Sequence, residues 1–340
     1  MVVSRSSSSP CPALILLAVS LLAAPGCTKR PEDDRQASRS SDTPVEQVSP
    51  LTHDKTDSVP SFETLRVVLL GTGTPTPDPM RAKPSVAVIA DGQPYIVDFG
   101  AGVVGRTVEG SNLGIAALDI MRLNRAFATH LHSDHTSGLS DLWLTPAAVG
   151  RPNPLIVYGP PGIDEMVTGI FTAYKADLQI RTHGRPLDNL PPGYRIEAKT
   201  IGHGVVYEDP RVKVTAFPVS HGEWQHAVGY RFDAKNRSIV ISGDTSPQES
   251  VIDACNGCDV LVHEVYCRAG FDRGPSSFKH YHSTSHTSGP ELAEIAKKAK
   301  PKLLVLYHLL FFGCSEAALL KEVTDRYSGE VVLGHDLDIF

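Results

Sequence analysis

Several features that would place the chain in a familiar class are scarce in its sequence. The 32 Lys and Arg residues are outnumbered by 38 Asp and Glu residues, which argues against a strong nucleic-acid binder, because such affinity comes mainly from clustered cations. The apolar run Ala13–Ala24 has twelve residues, too few to span a bilayer as a helix. A single CxxC pair, Cys255 and Cys258, leaves no second pair to complete four thiolate zinc ligands. No internal repeat is visible.

Histidine, by contrast, is abundant. The chain has 14 His among 340 residues, with ordinary globular proportions of 41% apolar and 21% charged residues, so wholesale disorder is excluded. Histidine is the commonest metal ligand and a frequent proton carrier. The distribution of these residues along the chain therefore bears directly on function.

The first sixty residues predict an export signal and a tether. Residues 1–27 contain one charged side chain, Arg5, before the apolar run, and small residues then lead to Cys27. This ending resembles a bacterial lipobox and predicts a lipid on Cys27, with cleavage and release as the alternative. Residues 28–60 carry twelve charged side chains and almost no large apolar residue, which predicts disorder. We expect an exported protein, a periplasmic or cell-envelope lipoprotein or otherwise a secreted one.

From residue 61 to residue 340 the sequence alternates strand-like and helix-like segments, which predicts one mixed α/β domain. The clearest helix is Pro290–Lys300, where Ser288 can cap the first turn together with Glu291. Residues 173–192 give no assignable pattern. The predicted strands are Arg66–Leu70, Ser85–Ala90, Tyr95–Phe99, Ala126–Thr129, Leu155–Tyr158, Val212–Val219, Ser238–Ser242, Val260–Val262 and Leu303–Tyr307.

Four potential metal ligands stand within six residues directly after a predicted strand, in the segment His130-Leu131-His132-Ser133-Asp134-His135. They can converge if the strand ends at His130 and the chain then turns into a helix, at the edge where open α/β sheets place their sites. Three imidazoles and one carboxylate are more protein ligands than the three that one catalytic zinc ion takes. A dinuclear site is therefore the economical interpretation.

Three more candidate ligands also follow predicted strands. They are His221, Asp244 and His308. Because a separate strand end supplies each one, chance convergence with the histidine-rich segment is improbable.

The combined pattern resembles the metallo-β-lactamase superfamily, in its ribonuclease Z-like branch. The matching segments span residues 66–308 and are Leu69-Leu70-Gly71-Thr72-Gly73, His130 to His135, Val219-Ser220-His221, Ser242-Gly243-Asp244-Thr245, His263-Glu264 and Leu306-Tyr307-His308. The resemblance implies an αββα four-layer sandwich, in which two sheets pack face to face with helices outside.

The resemblance also implies how two divalent metal ions would be held. One ion would be bound by His130, His132 and His221, the other by Asp134, His135 and His308, and Asp244 would bridge them. Zinc is the expected metal, with Mn or Fe as alternatives that the same ligands accept. A hydroxide shared by the ions would attack the substrate, oriented by Asp134 as a catalytic residue.

Further residues are implied to act beside the metals. His286, just before the capped helix, resembles the histidine of the branch's His-Ser-Thr loop and is the candidate proton donor to the leaving group. A mere loop role is the alternative, and His280 and His282 keep the assignment open. His263 and Glu264 resemble the start of a His-Glu-Ala-Thr motif and would orient ligands through hydrogen bonds.

A Gly-rich loop and the remaining cysteines could indicate other chemistries, but we assign neither feature a catalytic role of its own. Gly100–Gly105 has the GxGxxG form of a dinucleotide-binding loop, but this form alone is weak evidence. In the branch, a Gly-rich loop after an Asp, here Asp98, lies beside the metals, and we expect that role. Pairing is left open for the four remaining cysteines, Cys255, Cys258, Cys267 and Cys314.

The substrate prediction rests on charge, on the expected export and on similarity to particular members of the branch. Members that process tRNA carry a long, basic, Gly-rich arm, but in the corresponding interval 155–221 the basic residues are scattered and offset by acids. Residues 132–145 and 337–340 resemble exported arylsulfatase-type members.

We therefore expect a zinc-dependent hydrolase of small phosphodiester or aryl sulfate esters. Nucleic acid is disfavoured as a partner, membrane contact is expected only through the lipid anchor, and a homodimer is common in the branch. The alternatives are a metal-dependent RNA or tRNA endonuclease and a carbonyl-ester hydrolase of the lactonase or β-lactamase type. A one-iron persulfide dioxygenase and a non-catalytic binding protein agree less well with two full sets of ligands.

Overall fold

Two mixed β-sheets organise residues 65–340, the part of the chain that the computed structural model describes. The first has six strands in the order β1 (Arg66–Gly71), β2 (Ser85–Ala90), β3 (Gln93–Val97), β4 (Arg125–Phe127), β5 (Leu155–Gly159) and β6 (Ile196–Thr200). The second has seven strands in the order 13-12-11-10-9-8-7, with β7 (Gly204–Glu208), β8 (Lys213–Pro218), β9 (Val228–Ala234), β10 (Arg237–Ile241), β11 (Val260–Tyr266), β12 (Leu303–Leu310) and β13 (Val331–Leu333).

Alternating side chains within the strands build two layers of core. In β2, Val86, Val88 and Ala90 enter the apolar core between the two sheets, whereas Ala87 and Ile89 face the outer helices. This division follows from the two-residue period of a strand, whose successive side chains point to opposite faces. Both faces of the strand are buried, so it reads as a continuous apolar run.

Helices cover the outer face of each sheet. On the first sheet lie α1 (Val103–Asn112), α3 (Leu139–Ala148), α4 (Ile163–Ala173) and α5 (Lys175–Arg181). The single turn α2 (Ser133–Thr136) stands between α1 and α3 in the chain. The second sheet is covered by α6 (Glu249–Cys255), α9 (Gly289–Ala299) and α10 (Glu316–Thr324), while α7 (Arg268–Arg273) and α8 (Ser276–Ser285) connect β11 to α9. The order of layers is the predicted αββα sandwich.

All nine predicted strands are present, with ends shifted by a few residues. The predicted helix Pro290–Lys300 is confirmed as α9, and Ser288 and Glu291 form the expected capping box. The interval 173–192, which the sequence left unassigned, contains α5 and a short 3₁₀ turn. No helix within residues 65–340 is long and apolar enough to cross a bilayer.

The cysteine pairing that the sequence left open is resolved in the described domain. Cys255 is bonded to Cys258 at the end of α6, and Cys267 is bonded to Cys314 across a sequence separation of 47 residues. The predicted signal peptide (1–27), the tether (28–60) and the lipid site at Cys27 lie outside the described residues, and these assignments stay predictions.

Candidate metal centre

The seven predicted ligands meet at one edge of the sandwich. Strand β4 ends just before the segment His130 to His135, and the loop after β8, the loop after β10 and the strand β12 bring the other three ligands to the same edge. Six of the seven side chains are buried and His132 is partly exposed. The convergence expected from strand ends is therefore present in the fold.

Three imidazoles form the first half of the cluster. Nδ1 of His132 lies 3.0 Å from Nε2 of His130 and 3.0 Å from Nε2 of His221. Because these three nitrogens converge on one point, they can bind a single ion. This is the set of residues expected for the first metal.

The second half consists of two imidazoles and two carboxylates. Nε2 of His135 lies 3.6 Å from Oδ2 of Asp134 and 3.4 Å from Oδ2 of Asp244. Nε2 of His308 lies 3.5 Å and 3.3 Å from the same two oxygens. The Asp244 oxygen is also 3.9 Å from Nε2 of His221, so it stands between the two halves, as expected of a bridging ligand.

The spacing and chemistry of these groups fit metal ions. Nitrogen and oxygen ligands at about 2.0–2.1 Å from a tetrahedral zinc ion stand about 3.3 Å from one another, close to the separations in the second half. Nε2 of His135 and Oδ1 of Asp244 are buried and have no hydrogen-bond partner among residues 65–340. Buried polar atoms without a partner are costly, and a coordinated cation would satisfy both.

The charges in the cluster also suit a cation. Burial raises the pKa of Asp134 and Asp244, but neighbouring histidines outweigh it and hold both carboxyl pKa values below normal. Burial lowers the pKa of His130 and His221, which keeps these imidazoles neutral. Anionic carboxylates and neutral imidazoles are the forms that bind metals.

At His135 the balance is reversed. Burial disfavours its charged form, but Asp244 and Asp98 together raise the pKa of His135 well above normal. The field at this nitrogen therefore favours positive charge, which a metal ion would also supply.

Asp98 orients His135 and is a functional residue that the sequence indicated only through its position before the Gly-rich loop. Its carboxylate accepts hydrogen bonds from Nδ1 of His135 at 2.8 Å and from the backbone N–H of Thr129 at 2.8 Å. Carboxylate partners of this kind fix the tautomer and the ring direction of a ligating histidine. Asp98 and His308 both have left-handed backbone, with φ of 56° and 45°, a conformation that costs energy for residues other than glycine.

The Gly-rich loop at 100–105 packs against the ligand segment, as expected. The N–H of Phe99 donates to the carbonyl of His135 at 2.7 Å, and a Cβ on Gly100 would lie 2.3 Å from the carbonyl oxygen of Asp134. The loop needs glycine here because the two backbone segments touch.

His286 stands beside the cluster in contact with Glu264. Nδ1 of His286 lies 3.1 Å from Oε1 of Glu264, which also accepts from the N–H groups of Thr245 and Thr287. Burial lowers the pKa of His286 to about 4 and, together with the charge of Asp244, raises the pKa of Glu264.

The other histidines near His286 that are not themselves predicted ligands make no hydrogen bond to a predicted metal ligand in the described residues. Nδ1 of His263 bonds to the backbone carbonyl of Glu264, so among residues 65–340 its ring touches no predicted ligand through a hydrogen bond. His280 and His282 lie on α8, His280 at the cavity mouth and His282 with its ring 5.4 Å from that of His286. The orienting role expected of His263 and Glu264 stays a prediction, since the carboxylate of Glu264 is bonded to His286, Thr245 and Thr287 rather than to a predicted ligand.

A cavity of about 800 Å³ opens beside the first half of the cluster. It is lined by His132, His221, Gly222, Glu223, Trp224, His280, Tyr281 and Thr284. The indole N–H of Trp224 donates to Nε2 of His132 at 2.7 Å. Sequence patterns did not indicate Trp224, because an aromatic residue in a loop has no periodic signal.

Comparison with known proteins agrees with this geometry. Residues 109–309 match the family model of the β-lactamase superfamily domain. The chain is 32% identical to the ribonuclease Z of Mycolicibacterium paratuberculosis over 278 residues, covering 80% of this chain and 96% of the relative.

Solved structures share the fold at lower identity. The metallo-β-lactamase fold protein YhfI from Bacillus subtilis superposes with a TM-score of 0.62 at 20% identity, covering 81% of this chain and 98% of that one. The short form of human tRNase Z superposes with a TM-score of 0.58 at 24% identity, again covering 81% and 98%. The chain belongs to the metallo-β-lactamase superfamily, in its ribonuclease Z-like branch.

Proposed function

We propose that this protein is a metal-dependent phosphodiesterase that cleaves RNA. The observation that carries the proposal is the similarity to ribonuclease Z over 80% of the chain, combined with the convergence of all seven candidate ligands. This relationship favours the RNA endonuclease, which the sequence left as an alternative, over a hydrolase of small esters. It also weighs against the expectation that nucleic acid is disfavoured.

The seven ligands would hold two divalent ions, with zinc as the first choice. Metal ions at such a site act as Lewis acids on the phosphate oxygens and lower the pKa of a water bound to them to about 7. The carboxylate of Asp134, whose Oδ2 faces Nε2 of His135 and Nε2 of His308, would contribute a ligand oxygen and would orient an attacking water. Asp98 keeps Nε2 of His135 directed at the cluster through the hydrogen bond to Nδ1.

His286 is suited to protonate the leaving oxygen. Its Nδ1–H points to Glu264, which leaves Nε2 to exchange a proton with a bound substrate. A phosphodiester anion next to the ring would favour the protonated imidazole, since an opposite charge nearby stabilises the charged form. Proton transfer of this kind contributes typically about 10²–10⁴-fold to a rate.

A second candidate is the hydrolysis of small aryl phosphodiesters or aryl sulfates. One observation favours it: in the described structure the interval between β5 and β8 is taken up by α4, α5, two 3₁₀ turns, β6 and β7. Little of this interval remains for the long basic arm that the resemblance associates with tRNA processing. An RNA substrate would therefore be bound by a part of the protein other than such an arm, or would be short.

We also propose that the protein works outside the cytoplasm. The predicted export signal and Cys27 lipid site are the basis, and the two disulfides support it because such bonds persist in oxidising compartments. The homodimer expected from the branch stays a prediction.

A substrate panel tests the proposed function. Purified, zinc-loaded protein is assayed with an RNA oligonucleotide, precursor tRNA, bis(p-nitrophenyl) phosphate, p-nitrophenyl sulfate, a homoserine lactone and nitrocefin. We expect cleavage of RNA and of bis(p-nitrophenyl) phosphate. Activity confined to the lactone or nitrocefin contradicts the proposal, and activity confined to small aryl esters selects the second candidate.

The His286→Gln variant tests the proton donor within the same panel. We expect its rate on the RNA oligonucleotide, whose sugar oxygen must be protonated to leave, to fall about 10²–10⁴-fold with the zinc content unchanged. Its rate on bis(p-nitrophenyl) phosphate should fall far less, because p-nitrophenolate leaves as an anion. His203, an exposed histidine on the surface, supplies the matched control His203→Gln, which should keep the full rate.

A further inference from the structure

We propose that the cavity beside His132 is a subsite for a planar aromatic group of the substrate, stacked on Trp224 and Tyr281. The inference rests on the proposed function for the identity of the scissile bond and adds which neighbouring group is recognised. The shared chemistry is a flat π-system next to a phosphate, which a nucleobase or a simple aryl ester can provide.

The backbone fixes Trp224 next to the metal ligands. A tight turn follows His221, in which the N–H of Trp224 donates to the carbonyl of His221 at 3.0 Å. Gly222 makes the turn possible with a left-handed φ of 56°, and its N–H donates to the carbonyl of Thr284 at 3.2 Å. The indole ring is then held 5.0 Å from the ring of His132, centroid to centroid.

Tyr281 forms another part of the wall from a different element. It lies on α8 and is 47% exposed, unusually open for an aromatic ring next to a buried cluster. Its ring centroid is 6.5 Å from that of His221 and 6.1 Å from that of His286. Thr284 lies three positions after Tyr281 and four after His280, the spacings at which helix side chains are neighbours, and all three line the cavity.

The charge of the lining selects against a second phosphate. No Lys or Arg is among the eight lining residues, and the one carboxylate there, Glu223, is exposed at the mouth. A further phosphate in the part of this cavity away from the metal ligands would meet the carboxylate of Glu223 and no Lys or Arg among the lining residues. An aromatic group gains from stacking, and amino groups at the edge of a base could donate to Glu223.

Binding measurements on zinc-loaded protein test the subsite without turnover. The probes are adenosine monophosphate, phenyl phosphate and ribose 5-phosphate, measured by isothermal titration calorimetry. We expect each aromatic probe to bind about tenfold more tightly than ribose 5-phosphate, since stacking of one base on aromatic side chains is worth about that much. Which of the two aromatic probes binds more tightly shows whether the subsite prefers a nucleobase or a simple aryl group, and either result supports the subsite.

Variants locate the preference. Tyr281→Leu and Trp224→Leu should each reduce it several-fold, and Trp224→Phe should restore most of it. Tyr174→Leu is the matched control, because Tyr174 is an exposed tyrosine at 39% on another face. Zinc content is measured for each variant, and Tyr281→Leu carries the test if Trp224→Leu loses metal through its contact with His132.

Two outcomes overturn the subsite. One is an equal affinity of the wild-type protein for all three probes, and the other is an unchanged aromatic preference in both Tyr281→Leu and Trp224→Leu. In steady-state assays the leucine variants should raise KM for aromatic substrates more than they lower kcat. Phosphodiester turnover without any aromatic preference removes the subsite alone. An aromatic preference in binding without phosphodiester turnover removes the proposed function alone.

Discussion

Replacing Asp98 with Asn should weaken the second half of the metal centre more than the first. Asp98 contacts His135 of the second half directly, whereas it reaches His130 of the first half only through the hydroxyl of Thr129. The carboxylate of Asp98 accepts from Thr129 through Oδ1 and from Nδ1 of His135 through Oδ2, both at 2.8 Å. In Asp98→Asn the amide oxygen can still accept from Thr129, but the amide N–H₂ then faces His135. Two donors cannot bond, so the proton of His135 is driven to Nε2, the nitrogen needed for the metal.

The expected magnitude follows from that lost orientation. Loss of a hydrogen-bond partner behind a ligating histidine costs typically about 10–100-fold in metal affinity, which corresponds to about 1.4–2.8 kcal/mol. Zinc affinities are measured by titration against a chromophoric chelator. We expect one zinc affinity to be weakened by this factor and the other to change less, because the link from Asp98 to His130 runs through Thr129.

Asp259 supplies the matched control for this variant. Its carboxylate accepts from the backbone N–H of Ser238 at 2.7 Å and pairs with Lys302, before the start of β11 and without contact to the predicted ligands. Asp259→Asn should leave both zinc affinities unchanged. Two wild-type zinc affinities in Asp98→Asn would refute the reasoning.

Three further predictions concern stability and metal loading. In urea unfolding, Cys314→Ser should cost about 4 kcal/mol and Cys258→Ser about 2 kcal/mol, because the first opens a far longer loop; equal costs would contradict this. Asp209 is the acceptor of two tyrosine hydroxyls that help lower its pKa against the effect of burial, so Asp209→Asn should cost about 2 kcal/mol at pH 7. The difference in unfolding free energy between wild type and Asp209→Asn should disappear as the pH falls through the lowered pKa of Asp209. A difference that does not depend on pH would contradict an ionised Asp209 as the acceptor. The indole N–H of Trp224 donates to Nε2 of His132. Zinc bound to Nδ1 of His132 would leave the ring proton on Nε2, which could then no longer accept this hydrogen bond. Zinc should therefore change the tryptophan fluorescence of the wild-type protein and leave that of Trp224→Phe unchanged.

The ligands were predictable from the sequence because most of them stand in segments that begin where an apolar strand ends. The runs before His130 and Asp244 stay apolar and then stop, and the carboxyl ends of such strands meet at one edge. For His308 the prediction of a strand end was wrong, because β12 continues through it to Leu310. The same runs account for the two sheets and for the αββα layering. The capped helix α9 was predictable because Ser288 and Glu291 form a local signal.

The orienting contacts were not predictable in this way, because they join distant residues through backbone geometry. Asp98 reaches His135 across 37 residues from a left-handed backbone position, and no pattern in the sequence announces that conformation. The pairing of Cys267 with Cys314 is likewise a product of the fold, since connectivity cannot be deduced from spacing. The position of Tyr281 at the cavity was not predictable either, because the sequence of α8 has no periodic apolar face that indicates a helix.

A zinc titration of metal-stripped protein, followed by the rate of bis(p-nitrophenyl) phosphate hydrolysis, tests the central claim most directly. The cluster contains two sets of ligands joined by Asp244, so we predict a rate that rises until two equivalents of zinc per chain are bound and is constant thereafter. A full rate without metal, or saturation at one equivalent, would contradict a dinuclear phosphodiesterase.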